Sequence, residues 1–174
     1  MYMDDVGYSL SDEDIMRLNP NVKIILYEDV SKHRTLDELL HPYDSVIILY
    51  EWKRTDDTSS GHYIAVNRVN NGMIEHFDSY AIKPDDELKQ LKRASEAYKR
   101  MTKQDHKYLL DLYIKSPYTI SYNHYPFQSL DEGVSTCGRY CVLRCLFRLL
   151  PLEQFAHMIM STGNPDDFVT KLTQ

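Results

Sequence analysis

The sequence predicts an α+β domain in which a mixed β-sheet packs on a central buried helix. Three stretches carry that expectation. Residues 45–52, from Ser45 through Val46, Ile47, Ile48 and Leu49 to Trp52, form a nearly unbroken apolar run rich in β-branched side chains, as in a strand covered on both faces. Two further runs, 62–69 and 73–78, flank Asn70-Asn71-Gly72, and Asn-Gly between such runs marks a hairpin. Residues 137–150 are apolar almost all round, which puts their helix inside a domain rather than on its surface.

The remaining elements follow in chain order. Ser11 caps a short helix over the next residues, stopped by Asn19-Pro20. Residues 22–27 read as a strand, Thr35 caps a second short helix through Leu40, and His41-Pro42-Tyr43-Asp44 is a turn. The polar segment 53–60 is expected as a mobile rim of a cleft. One amphipathic helix is expected over 83–101, opened by Pro84, with Leu88, Leu91 and Ala94 on its inner stripe. Its basic cluster of Lys89, Lys92, Arg93, Lys99, Arg100 and Lys103 reads as a solvated face. Another helix is expected over 104–114 and an extended stretch over 118–125, with a tail that is helical in part.

At 174 residues, 43% hydrophobic and 26% charged, the chain suits a single domain spanning residues 1–174 with a sizeable core. Its N-terminus lacks the basic and apolar regions of a signal peptide, and no apolar run approaches the roughly 20 residues of a membrane span. A soluble, intracellular protein without membrane partners is expected. The formal charge of −6 gives no general attraction to nucleic acid. Its three cysteines, Cys137, Cys141 and Cys145, all fall on the one predicted helix, which makes no disulfide framework. That spacing also suits a zinc site poorly, and neither metal nor cofactor is expected.

Cys137 stands apart from the other two because it begins the helix. Ser135 or Thr136 caps it, Gly138 admits close approach, and free N–H groups with the helix dipole favour a thiolate there. Cys141 and Cys145 lie deeper, where apolar packing raises a thiol pKa. A cysteine nucleophile needs a base, a group to orient the base, and donors for the oxyanion. His62 begins a strand after the polar loop, and the hairpin returns Asp78 to the same end. If Asn71-Gly72 form the loop, Asp78 pairs with Ala65 and lies within about 10 Å of His62 along the strand. The backbone N–H of Cys137 and the Gln128 side chain complete the set. His76 and His124 are rival bases, Asn123 is a rival donor, and Asp78 is also suited to closing a turn.

Gly61-His62-Tyr63, Phe77-Asp78-Ser79-Tyr80, Gln128 and Cys137-Gly138-Arg139-Tyr140-Cys141 together resemble the adenovirus maturation protease (adenain) family and the related proteases that remove ubiquitin-like modifiers. The resemblance spans residues 45–150 and is strongest to adenain-like proteases of large DNA viruses, virophages and virus-like transposons. Thr136 stands where the deconjugating branch usually has Asp, which favours the viral branch. The resemblance implies a Cys-His-Asp triad of Cys137, His62 and Asp78 with Gln128 in the oxyanion hole, in the reverse chain order of papain. It implies a cysteine endopeptidase that cuts capsid or other virion precursor polypeptides in the host-cell virus factory and the virion interior. Removal of a ubiquitin-like modifier, acyl transfer, and a catalytically silent binding module are the alternatives. A monomer is expected, DNA activation is not, and a peptide activator stays open.

Overall fold

The computed structural model describes residues 4–53, 59–92 and 94–174. Residues 1–3 of the N-terminal reading, 54–58 of the expected rim, and Arg93 of the basic cluster lie outside the described residues.

The chain opens with α1 (Asp12–Leu18), where the Ser11 hydroxyl accepts from Asp14 N–H and the Asp14 carboxylate reaches back to Ser11 N–H. This reciprocal cap satisfies two of the donors a helix start leaves free. β1 (Lys23–Leu26), α2 (Tyr27–Val30) and α3 (Leu36–Leu40) follow, and Thr35 caps α3 by accepting from Glu38 N–H. The long strands β2 (Ser45–Lys53) and β3 (Ser59–Asn70) lead to β4 (Met73–Phe77). After a 3-10 turn (Asp86–Leu91) come α4 (Glu96–Met101), α5 (Tyr108–Lys115), β5 (Thr119–Tyr122), α6 (Cys137–Leu146), α7 (Leu152–Met160) and α8 (Pro165–Leu172).

The described strands form one sheet in the order β1-β2-β3-β4-β5. Its outer pairs, β1 with β2 and β4 with β5, are parallel, and its inner pairs are antiparallel. The expected mixed α+β fold is therefore the observed one. Helices cover both faces. On one face, α1, α6, α7 and α8 enclose Ile47, Ala65 and Phe77 with Tyr140 and Cys141 of α6. On the other, α2, α3 and α5 enclose Val46, Ile48, Ile64, Val66 and Ile74. Val46, Ile47 and Ile48 are all fully buried, which is why β2 reads as a continuous apolar run instead of alternating.

Three expectations are corrected. The single helix over 83–101 is broken into the 3-10 turn and α4. Asp85 sits before the turn at φ +62°, and its carboxylate turns inward to accept from Tyr50 Oη at 2.9 Å and Leu110 N–H at 2.8 Å. Glu87 is likewise drawn into the core, so the local amphipathic pattern yields to buried polar anchors, and Ser95 caps a fresh helix. α5 starts at Tyr108, not 104, because the Gln104 side chain donates to Glu51 O at 2.7 Å. α6 ends at Leu146, short of 150, where Arg144 Nη1 takes up the Phe147 and Leu150 carbonyls, both at 2.9 Å.

α6 is also less uniformly apolar than its pattern suggests. Arg139 and Arg144 are both buried in it. Arg139 Nη1 donates to the Thr173 hydroxyl at 2.7 Å, tying α6 to the end of α8. Arg144 makes a bidentate pair with buried Glu75 of β4, at 2.7 and 2.8 Å, and so fixes the helix to the sheet.

Candidate active site

His62 enters β3 and Asp78 follows β4 directly, so their meeting depends on hairpin register. The Asn71-Gly72 loop leaves Asn70 opposite Met73, and continuing that register would set Asp78 opposite Ala65. A bulge between Arg68 and Asn70 instead absorbs one residue, and Phe77 faces Ala65. This correction decides the chemistry. Side chains alternate along a strand and paired residues share a face, so without the bulge Asp78 would point away from the face that carries His62. With it, both leave on the same side, and His62 Nε2 lies 2.7 Å from Asp78 Oδ2.

The pair is buried, His62 at 4% and Asp78 at 0% exposure. Tyr80 N–H donates to the other Asp78 oxygen at 2.7 Å, and the Tyr80 ring stacks on the imidazole at 5.1 Å. The Asx turn considered as an alternative role for Asp78 is thus present alongside the His62 contact, one carboxylate oxygen serving each. Asn123 holds the backbone beneath, its amide donating to Asp78 O at 2.6 Å and Tyr125 O at 2.9 Å. Both of its N–H groups are engaged there, which removes Asn123 as a rival oxyanion donor.

With Nε2 turned to Asp78, His62 also interacts with the Cys137 thiol beside it in the cleft, and each group shifts the other's pKa. Cys137 is the first residue of α6 and is 6% exposed. Burial by itself would push its thiol up, but His62 and the Tyr63 and Gly138 backbone contacts outweigh burial and hold it below the ordinary value. Burial likewise opposes charge on His62, yet Asp78 and Cys137 raise its pKa well above 6.5. Asp78 is lowered because His62 and Tyr80 N–H offset its own burial. All three directions favour a thiolate–imidazolium pair backed by a carboxylate. Deeper in α6 the balance reverses: burial raises Cys141 strongly and pushes Cys145 up to about 12.

Gln128 is 5% exposed and lines the same cleft as His62 and Cys137, a concavity of about 950 Å³. Its Oε1 accepts from Ser79 Oγ at 2.8 Å, which fixes the amide so that Nε2 is the donor end, making one long hydrogen bond to Val134 O at 3.5 Å and keeping its second N–H for another acceptor. Ser79 O also accepts from Phe127 and Gln128 N–H at 2.8 and 3.1 Å. The residue beside Asp78 therefore sets both the backbone and the side chain of Gln128.

The rival histidines are placed elsewhere. His76 is fully buried between Tyr113 Oη at 2.9 Å and Glu87 Oε1 at 3.2 Å, and His124 is exposed against Tyr125. Among the described residues no group of three or more His, Cys, Asp or Glu could hold a metal ion.

Sequence reasoning missed the supports. Thr136 has the N-cap position of α6 but makes no side-chain cap; its hydroxyl donates to Asp166 Oδ1 at 2.5 Å. Asp166, in the first turn of α8, also accepts from Tyr140 Oη at 3.1 Å and Ser129 N–H at 3.0 Å. One carboxylate thus ties the loop after Gln128 to the start of α6. Nothing local marks it, since it lies 30 positions from Thr136. Ser79, next to Asp78 in the Phe77-Asp78-Ser79-Tyr80 stretch, is within reach of the sequence, but its contact with Gln128 is 49 positions away and has no local mark.

No protein-family model matches the chain. It is 32% identical over 171 residues to "Uncharacterized protein V9" of Sputnik virophage, spanning 95% of this chain and 94% of that one. Among solved structures it is similar to ChlaDub1 from Chlamydia trachomatis at 12% identity and a TM-score of 0.48, covering 96% of this chain and 89% of that one.

Proposed function

The chain belongs to the family of protein V9 of Sputnik virophage, and from the buried array of Cys137, His62 and Asp78 we propose that it is a cysteine endopeptidase acting on capsid and other virion precursor polypeptides. The observation that carries this reading is the 2.7 Å His62–Asp78 contact behind a helix-tip cysteine whose pKa is lowered despite burial. A cysteine kept only for packing would follow Cys141 and Cys145, whose pKa values rise.

In this mechanism the Cys137 thiolate attacks the scissile carbonyl. The developing oxyanion is taken by the Cys137 backbone N–H and by Gln128 Nε2, which Ser79 presents. His62 then gives its proton to the leaving amine, releasing the new N-terminus and leaving a thioester. Water, deprotonated by His62, hydrolyses the thioester, and Asp78 holds the imidazole in orientation through both steps. The enzyme works as a monomer, without DNA, in the virus factory and the assembling particle. Its viral relative and the maturation chemistry implied by the sequence resemblance support that setting. Among the described residues no helix is long and apolar enough to cross a membrane.

The test is co-expression with the virion proteins of the same virus, comparing wild type with Cys137→Ala by mapping new protein N-termini. Cuts at defined sites in a capsid precursor, present only with the wild type, are expected. Release of an intact ubiquitin-like modifier in place of such cuts would overturn the reading.

A further inference from the structure

The segment before α1 forms part of the cleft wall and touches both arms of the site. Ser9 lines the cleft together with the loop that runs up to Cys137. Val6 O accepts from Ser135 N–H at 2.8 Å, two residues before the nucleophile. Beside that bond Gly7 lies so close to the loop that a Cβ on it would stand 2.8 Å from Gly133 O, so glycine is what lets the two backbones meet. The segment is itself held: Gly7 N–H donates to Asp5 Oδ1 at 2.8 Å, and Tyr8 Oη donates to Asp14 Oδ2 at 2.9 Å. Leu10 is buried in the core, and a Cβ at Gly138, the residue after the nucleophile, would meet the Tyr63 ring at 3.3 Å and Leu10 at 3.5 Å. At the far end of the segment Asp12 accepts from Tyr63 Oη at 2.8 Å, and Tyr63 follows His62 directly in β3.

We propose that residues 5–12 are a positioning strap which, tied to Ser135 at one end and to Tyr63 at the other, aims the Cys137 N–H at the oxyanion and keeps the nucleophile's loop beside His62. As the first N–H of α6, that of Cys137 has no carbonyl one turn back to receive it, and its direction follows from the backbone of Ser135 and Thr136 before it. Thr136 is fixed through its hydroxyl by Asp166, and Ser135 through its N–H by Val6. The loop is thus secured from α8 at one residue and from the strap at the next. The Asp12–Tyr63 bond ties the same strap to the strand that carries the base, so one short segment links the position of the donor to that of His62. Losing an oxyanion donor outright costs about a hundred- to a thousandfold in rate, and one that is only displaced should cost on the order of tenfold.

The strap rests on the acyl-transfer chemistry proposed above, and its test needs no peptide substrate. p-Nitrophenyl acetate transfers its acetyl group to the Cys137 thiolate: the S–C bond forms, the ester C–O bond breaks, nitrophenolate leaves, and the thiol proton stays on His62. This step passes through an oxyanion, whereas alkylation by iodoacetamide displaces iodide and forms none. Both rates at Cys137 are followed by mass spectrometry in the full chain, with Cys137→Ala as the background for nitrophenolate release, and amide exchange at Ser135 is read by NMR. In Gly7→Ala the added methyl must push Gly133 away, and Ser135 exchange should accelerate about tenfold as its bond to Val6 opens. Acylation should fall on the order of tenfold while alkylation stays within about twofold of wild type. Tyr63→Phe keeps the ring but cuts the Asp12 tie, and serves as the second variant should Gly7→Ala fold poorly; it should lower acylation about threefold with alkylation again held. Where the wild type is acylated, acylation that keeps pace with alkylation in both variants overturns the proposal, and so does unchanged Ser135 exchange in Gly7→Ala. A wild type that is alkylated at Cys137 but not acylated sinks the acyl-transfer reading instead, and Ser135 exchange in Gly7→Ala then decides the strap by itself.

Discussion

Replacing Asp78 with Asn tests the central electrostatic claim with little change of volume. Asp78 is fully buried and accepts from Tyr80 N–H at 2.7 Å while its other oxygen faces His62 Nε2, also at 2.7 Å. The Asn oxygen would keep the Tyr80 bond and so present its NH2 to Nε2. Nε2 must then accept, the ring proton moves to Nδ1, and the neutral imidazole has no free nitrogen left to take the thiol proton. A charge-assisted hydrogen bond is worth about 1.5–3 kcal/mol, which is on the order of ten- to a hundredfold in the fraction of Cys137 held as thiolate at a given pH. The assay is alkylation of Cys137 by iodoacetamide from pH 4 to 9. Wild-type labelling should persist below the ordinary thiol value of 9.0, because the Cys137 pKa is lowered, and should change again only as His62 loses its proton above its ordinary value of 6.5. Asp78→Asn should lose the acid part of the profile and converge on wild type at high pH. Superimposable profiles would refute the thiolate–imidazolium argument. The sign for stability is consistent. His62 holds its proton more tightly when folded, so its contribution is full below 6.5 and fades as pH rises through the raised value. The Asp78 contribution is present above the ordinary carboxylate value of 3.8 and is lost as pH falls.

Ser79→Ala frees the Gln128 amide and should cost about 1 kcal/mol of transition-state stabilisation, roughly fivefold in kcat, with KM and Cys137 alkylation unchanged; an equal loss in alkylation would mean a structural effect instead. Arg144→Ala leaves Glu75 buried and unpaired and should destabilise the fold by about 3–5 kcal/mol in urea titration, a loss under about 1 kcal/mol arguing that water replaces the guanidinium. Gly61→Ala places a Cβ 2.5 Å from Tyr50 O and 2.6 Å from Leu49 Cδ1, where a paired backbone carbonyl cannot retreat. It should cost about 1–3 kcal/mol in thermal unfolding and slow Cys137 alkylation through the adjoining His62; unchanged melting would show that the strand pair has slack.

The elements legible in the sequence are those whose signal is local. The β-branched run of β2, the Asn-Gly hairpin and the Ser11 and Thr35 caps each satisfy their own backbone or turn geometry within a few residues. The breaks came where a distant partner outbid local pattern. Asp85 and Glu87 interrupt an apparently amphipathic helix because Tyr50, Leu110 and His76 receive them in the core. At the site, His62, Asp78 and Cys137 are nameable because each sits at the end of a predictable element, whereas Gln128 lies in the loop between β5 and α6 and is named from the resemblance. The bulge before Asn70, which gives His62 and Asp78 a common face, has no sequence mark, since any β-register of the same residues reads alike.

That bulge also explains why the array is held from so many directions. The histidine and carboxylate belong to one hairpin, but the cysteine and glutamine approach from a separate helix and loop, so hairpin register alone cannot align them. Long-range contacts carry that alignment, the Arg144–Glu75 pair between α6 and β4 among them. Ser79 fastens Gln128 to the carboxylate strand at 2.8 Å, and Asp166 fastens Thr136 and Ser129 to α8 at 2.5 and 3.0 Å. Loss of Asp166 would therefore act on the nucleophile from the far end of the chain. Asp166→Asn should retain part of this network, whereas Asp166→Ala should leave the Thr136 and Tyr140 hydroxyls without their shared acceptor, at about 1–3 kcal/mol for a buried group. If the network positions Cys137, the alanine variant should slow alkylation of Cys137 in native conditions well below its melting temperature, and the asparagine variant should restore most of the rate. Equal rates in both, with only the melting temperature lowered, would show that Asp166 supports the fold and leaves the nucleophile where it is.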